Sequence, residues 1–132
     1  MSKTRPVIAI VDDDKSVCRA IVRLLRSLEM DVDTFISGHE FIEHIETTRS
    51  FHPDCVVLDV RMPGISGLEV QQLLVRSENF IPVIFITGHD DMIVRERALQ
   101  AGAVAFLRKP IDKELLIKIL NEALKPDQAK VS

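Results

Sequence analysis

Apolar and polar residues follow two alternating periods along this chain. Short β-branched runs give way to stretches with an apolar residue every three or four positions. Residues 6–11 (PVIAIV) predict a strand buried on both faces. Over residues 14–29, Val17, Ala20, Ile21, Leu24, Leu25 and Leu28 form a stripe of helical period with arginines outside it. Residues 31–36 alternate as an edge strand does, and a weaker amphipathic helix with Phe41, Ile42 and Ile45 follows Ser37-Gly38. A second buried strand covers residues 54–60, and the loop 61–66 holds the turn residues Pro63 and Gly64. A helix from Gly67 to about Ser77 leads to a strand at 81–87. Asp90 or Asp91 then caps a helix to Ala101, and Gly102 supplies a left-handed stop. A strand at 103–107, the pair Lys109-Pro110 and a helix at 111–124 follow.

Five β-then-α units in succession predict an α/β fold, a doubly wound parallel sheet with helices on both faces and right-handed crossovers. Residues 1–124 read as one domain and residues 125–132 (KPDQAKVS) as a tail or the start of a linker. The chain has 132 residues, 46% hydrophobic and 28% charged, which is globular composition and excludes a disordered or fibrous chain. Seventeen basic against 20 acidic residues give a net charge of −3, which argues against direct nucleic-acid binding. Cys18 and Cys55 sit singly in apolar runs, without metal-ligand spacing, and read as buried thiols of a reducing compartment. With no signal peptide and no membrane-length apolar window in these residues, the expectation is a soluble, cytoplasmic protein.

The chemistry gathers at the carboxyl ends of the expected strands, where open α/β sheets bind ligands. The first strand ends in Asp12-Asp13, the third in Asp59, the fourth in Thr87-Gly88 and the fifth in Lys109. Asp14 has the ordinary explanation of a helix N-cap, but three acids exceed what one cap requires. Asp59 lies in an apolar run, where an unpartnered carboxylate is costly to bury. Taken singly, Lys109 is a solvated charge and Thr87 a β-favouring residue; jointly the four strand ends point to one crevice. Carboxylates crowded there need positive charge. Lys109 supplies one, and an all-oxygen donor set suits Mg2+, which keeps waters and accepts phosphate oxygens, better than Ca2+ or zinc. A carboxylate so placed can act as a nucleophile toward phosphorus. Gly88 has no side chain to keep the backbone from a phosphate.

The segments IVDDDKS, VVLDVRMPGISG, VIFITGH and AVAFLRKP resemble, in order and spacing, the receiver domain of two-component response regulators, a likeness running from Val7 to about Leu124. The resemblance implies a flavodoxin-like (βα)5 sheet of order 2-1-3-4-5. It implies that Asp59 accepts phosphoryl from a histidine kinase or phosphotransfer protein, with the domain catalysing only its own phosphorylation and dephosphorylation. It also implies that Asp13, Asp59 and the backbone carbonyl of Arg61 hold Mg2+ (or Mn2+), with Asp12 acting mainly through water. Thr87 and Lys109 would contact the phosphoryl group, and the Lys109-Pro110 bond would be cis. Phe106 stands at the position of the family's switch aromatic, though a plain core role is an equal reading. Arg61 and His89 would flank the path of attacking water and tune the phosphoaspartate's lifetime, His89 having a bland surface reading too. ITGHDD and AGAVAFLRKP are similar to receivers that precede LuxR-type helix-turn-helix outputs. The segment 92–99 offers Met92, Ile93, Val94 and Leu99, which read equally as core or as a face for a phosphorylation-dependent homodimer.

Three other classes fit the residues less well. Haloacid-dehalogenase-type phosphotransferases want DxD after the first strand, whereas here Arg61 stands two residues after Asp59. A flavodoxin-like flavin binder lacks a phosphate loop and any Trp or Tyr. A receiver that binds partners without phosphorylation is disfavoured by the intact set of acids.

Overall fold

Ten elements alternate strictly along the chain: β1 (Val7–Val11), α1 (Lys15–Ser27), β2 (Asp31–Phe35), α2 (Gly38–Thr47), β3 (Cys55–Asp59), α3 (Gly67–Arg76), β4 (Val83–Thr87), α4 (Met92–Gln100), β5 (Ala105–Arg108) and α5 (Lys113–Leu124). This is a computed structural model, and it describes residues 5–89 and 91–125. The strands form one sheet of order β2-β1-β3-β4-β5, every pairing parallel. Strand order therefore reverses between β1 and β3, as expected.

Strand alternation divides the core into two layers. Ile8, Ile10, Cys55, Val57, Ile84 and Ile86 face α1 and α5, meeting Ile21, Leu25, Leu116 and Leu120. Ala9, Val11, Val56, Leu58 and Phe85 face the other side, meeting Phe41, Val70, Leu74 and Ala98. Each fully buried Leu, Ile or Phe contributes about 1.5–3 kcal/mol, so these layers dominate stability. Strands buried on both faces are why β1, β3 and β4 read as continuous apolar runs.

Helix starts are capped by side-chain oxygens. Asp14, Ser37, Ser66, Asp91 and Asp112 accept backbone N–H bonds from the first turns of α1 to α5, and Ser66 with Glu69 forms a reciprocal capping box. Asp91 fills the cap of α4; Asp90 lies outside the described residues. Gly102 ends α4 with φ +103°, as expected, while α1 and α3 end on the left-handed residues Glu29 (φ 62°) and Glu78 (φ 60°), which carry no sequence signal for it.

Several boundaries differ from expectation. β4 begins at Val83 rather than residue 81, because Ile81 and Pro82 form the approach to the strand and Pro82 has no N–H to give a ladder. β5 covers Ala105–Arg108 rather than 103–107, because Ala103 N–H is spent on Ala98 O at the end of α4. α5 begins at Lys113, since Asp112 is its cap. The segment 126–132 of the expected tail lies outside the described residues. Among the described residues, no helix is long and apolar enough to cross a membrane.

α4 is the least embedded helix. Its one fully buried residue is Ala98, while Met92 and Ile93 are 73% and 68% exposed, so a core role for those two is ruled out.

Candidate functional site

Parallel register alone brings the site together. Val11 pairs with Leu58, so Asp12 emerges beside Asp59 at the carboxyl end of the sheet. Asp59 pairs with Ile86, and Thr87 pairs with Arg108, which puts Thr87 and Lys109 at the same edge. Carboxylate oxygens of Asp12, Asp13 and Asp59 all lie within 4.8 Å of one another, with Asp12 and Asp59 buried and Asp13 exposed. Lys109 Nζ reaches into the group, 2.9 Å from Asp12 Oδ2 and 3.5 Å from Asp59 Oδ2.

The electrostatics remain unbalanced. At 4 Å two like charges repel by about 4 kcal/mol at an effective dielectric near 20, and one ammonium cannot offset three carboxylates. Burial, then the Asp12 charge, push the Asp59 carboxyl up to about 6, against the opposing pull of Lys109 and the backbone N–H of Arg61. For Lys109, desolvation works against the charged form, yet Asp12 and Asp59 hold the ammonium above its ordinary value. Asp12 Oδ1 accepts the Asp14 N–H at 2.9 Å. Its Oδ2 is buried, and its polar neighbour is the Lys109 ammonium at 2.9 Å. Three hard carboxylate donors gathered within 4.8 Å and faced by a single ammonium fit a small divalent cation with retained waters.

The remaining expected residues are placed as follows. Thr87 is buried, and its hydroxyl is engaged with the chain that follows: it donates to His89 O at 3.0 Å and accepts His89 N–H at 3.1 Å. The His89 side chain is exposed. Arg61 is exposed too, and its guanidinium stands 4.0 Å from Asp91, the cap of α4. A Cβ on Gly88 would meet nothing within 4 Å, which leaves open space beside it. Lys109-Pro110 is cis. Phe106 is half-buried, its ring 6.1 Å from that of Phe85, so it is neither fully core nor free.

Two contributors escape sequence reasoning. Gly67 packs so closely that a Cβ there would overlap the Asp59 carbonyl and press on the Phe85 ring, and only glycine fits. Gln71 is buried in α3 and donates to Ala98 O at 3.1 Å, fastening the last turn of α4. A glycine after a helix cap and a glutamine within an amphipathic helix carry no signal of such contacts.

The family model described as response regulator receiver domain matches residues 8–121. The response regulator protein TodT of Pseudomonas putida is 41% identical over 125 residues, covering 95% of this chain and 54% of that protein. Nodulation protein W of Bradyrhizobium diazoefficiens is 43% identical over 116 residues, covering 87% of this chain and 50% of that protein. The chain thus spans about half the length of the curated relatives it matches. Among solved structures, a response regulator receiver protein from Burkholderia phymatum superposes with a TM-score of 0.81 at 52% identity, covering 91% of this chain and 95% of that one.

Proposed function

The chain belongs to the response regulator receiver domain family, and from that premise we propose that Asp59 takes a phosphoryl group from the phosphohistidine of a histidine kinase or phosphotransfer protein. The observation that carries this reading is the buried Asp59 carboxylate, in one pocket with Asp12, Asp13 and the Lys109 ammonium. A free Asp59 oxygen attacks phosphorus, the P–N bond to the donor imidazole breaks, and the imidazole leaves with the bond's electron pair. Catalysis is then positioning and charge neutralisation. Asp13, Asp59 and the Arg61 carbonyl would hold Mg2+ (or Mn2+), with Asp12 acting through water. When bound, the ion supplies the positive charge that lets phosphoryl oxygens approach the carboxylates.

Lys109 meets one phosphoryl oxygen directly, and its contacts with Asp12 and Asp59 already aim it there. Thr87 meets another only by turning its proton away from His89 O, so capture of its hydroxyl releases one tie to the β4–α4 loop. Phe106 turns into the space Thr87 leaves, altering the α4-β5-α5 surface; the size of the shift is bounded by how much better the phosphate binds the active state. Arg61 and His89, both at the rim, tune water access and hence the phosphoaspartate's lifetime. The domain acts catalytically on its own phosphoryl group alone.

Residues 1–124 act as the receiver of a cytoplasmic regulator, and residues 125–132 are a tail or the start of a linker toward a LuxR-type helix-turn-helix output. The exposed Met92 and Ile93 favour α4 as the contact for a phosphorylation-dependent homodimer. The receiver itself touches neither DNA nor membrane. Mass spectrometry after incubation with acetyl phosphate and Mg2+ tests the central reading. One phosphoryl adduct is expected, absent in Asp59→Asn and without turnover of an added phosphomonoester. An adduct that survives Asp59→Asn removes Asp59 as acceptor, and turnover favours a phosphotransferase instead.

A further inference from the structure

The β2 edge of the sheet separates two surfaces of opposite charge. On one side Lys15, Arg19, Arg23 and Arg26 line a groove of about 610 Å3 whose apolar lining includes Cys18, Val22 and Ile36, the last 53% exposed. None of these four cations has an acid within ion-pair distance among the described residues, although the chain has more acids than bases. On the other side the charge is negative. Val32 packs in the α1–α5 layer and Phe35 in the α2–α4 layer, so alternation turns Asp31 and Asp33 toward α2 and Thr34 toward α1. Arg5 occupies Asp31, but Asp33 and the exposed Glu40 and Glu43 of α2 have no cation within reach among the described residues. The outer rim of β2 is unpaired.

We propose that the β2 edge joins two copies of this chain about a twofold axis parallel to the strands. Rotation about that axis exchanges the two helical layers. The basic flank of α1 in each copy then lies beside Asp33, Glu40 and Glu43 of the other, and the contact occurs twice and closes. A twofold perpendicular to the sheet would instead set α1 against α1, cation against cation. The partner that the groove requires, acidic and able to cover Val22 and Ile36, is thus supplied by the same molecule. This dimer forms without phosphorylation and uses neither α4 nor the acidic pocket. Exposed ion pairs are individually weak and screened by salt, so the association is salt-sensitive.

Sedimentation velocity on the unphosphorylated chain, with no phosphoryl donor, tests it. At low ionic strength the mean mass is expected to rise with concentration from 14.9 kDa toward twice that value. It should fall back at about 0.5 M salt. Arg23→Glu should weaken the dimer by about tenfold or more. Combining it with Glu43→Arg should recover most of that loss, while Arg23→Glu with Glu96→Arg, of equal net charge but with its change on α4, should not. Ile93→Asp should leave association unchanged. Circular dichroism confirms that each variant is folded. A chain monomeric at every concentration and salt overturns the proposal and leaves the α1 flank to a different acidic partner. Equal rescue by Glu96→Arg, no rescue by Glu43→Arg, or loss of the dimer in Ile93→Asp overturns it as well.

Discussion

A carboxyl group raised to about 6 makes the folded chain less stable wherever the solution is more alkaline than that. Between the ordinary value of 3.8 and about 6 the native state keeps a proton on Asp59 that the unfolded chain has lost, so stability falls as pH rises through this window. The penalty is absent below the window and complete above it. Asp59→Asn keeps the shape and removes the charge, and at pH 7 without divalent ions it is expected to stabilise the fold by about 1–3 kcal/mol. Urea unfolding at pH 7 and pH 3 checks this: the gain should appear at pH 7 and be nearly gone at pH 3, below the window, and a destabilised variant at pH 7 would refute it. Gly67 bears on the same carboxyl group through its backbone. Gly67→Ala must displace the Asp59 carbonyl or the Phe85 ring, and an overpacking cost of about 1–3 kcal/mol is expected. The same variant should lose part of its acetyl-phosphate labelling, because the main chain carrying Asp59 moves; full labelling at wild-type rate would show that the packing is purely structural.

At the scale of elements, legibility followed burial. β1, β3 and β4 were readable because strands covered on both faces must be continuously apolar, and the acids at their ends stood out against that background. The sequence therefore assigns Asp12, Asp59 and Lys109 to one crevice, while it leaves the state of Thr87 open. Its hydroxyl bond to His89 is a choice between local partners of similar strength, and nothing in ITGH decides it. α4 was the ambiguous helix for a related reason: Met92, Ile93, Val94 and Leu99 do not fall on one stripe, and the helix is fastened by Ala98, by the half-buried Val94, by Gln71 from α3 and by its Asp91 cap. With so few attachments, the cap carries an unusual share of the helix's order. Asp91→Ala removes two backbone hydrogen bonds at the helix start and the ion pair with Arg61. A cost of about 1 kcal/mol is expected. Hydrogen exchange should accelerate in α4 while α1 and α5 keep their protection; uniform acceleration would mean that α4 unfolds only with the whole domain.

The acidic pocket exists only in the complete molecule. Asp12, Asp59 and Lys109 stand at the carboxyl ends of β1, β3 and β5, each separated from the next by about fifty residues, so the unfolded chain has no such site. A divalent ion that binds the folded state alone stabilises it by about 2.7 kcal/mol at a hundred times its dissociation constant. For a domain of this size that corresponds to a rise on the order of 10 °C in Tm. Mg2+ is therefore expected to raise the midpoint of thermal unfolding and EDTA to return it, with most of the effect gone in Asp13→Asn. Protonation supplies an independent check, because the ion and the proton compete for Asp59. Since that carboxyl group titrates near 6, the Mg2+ shift should be full at pH 7.5 and shrink at pH 5. The apo chain moves in the opposite sense, as Asp59 is relieved of its charge on acidification. The two midpoint curves, with and without Mg2+, should accordingly converge toward low pH and diverge above about 6. Parallel curves across that range would place the ion away from Asp59, and the proposed acceptor would lose the positive charge it needs.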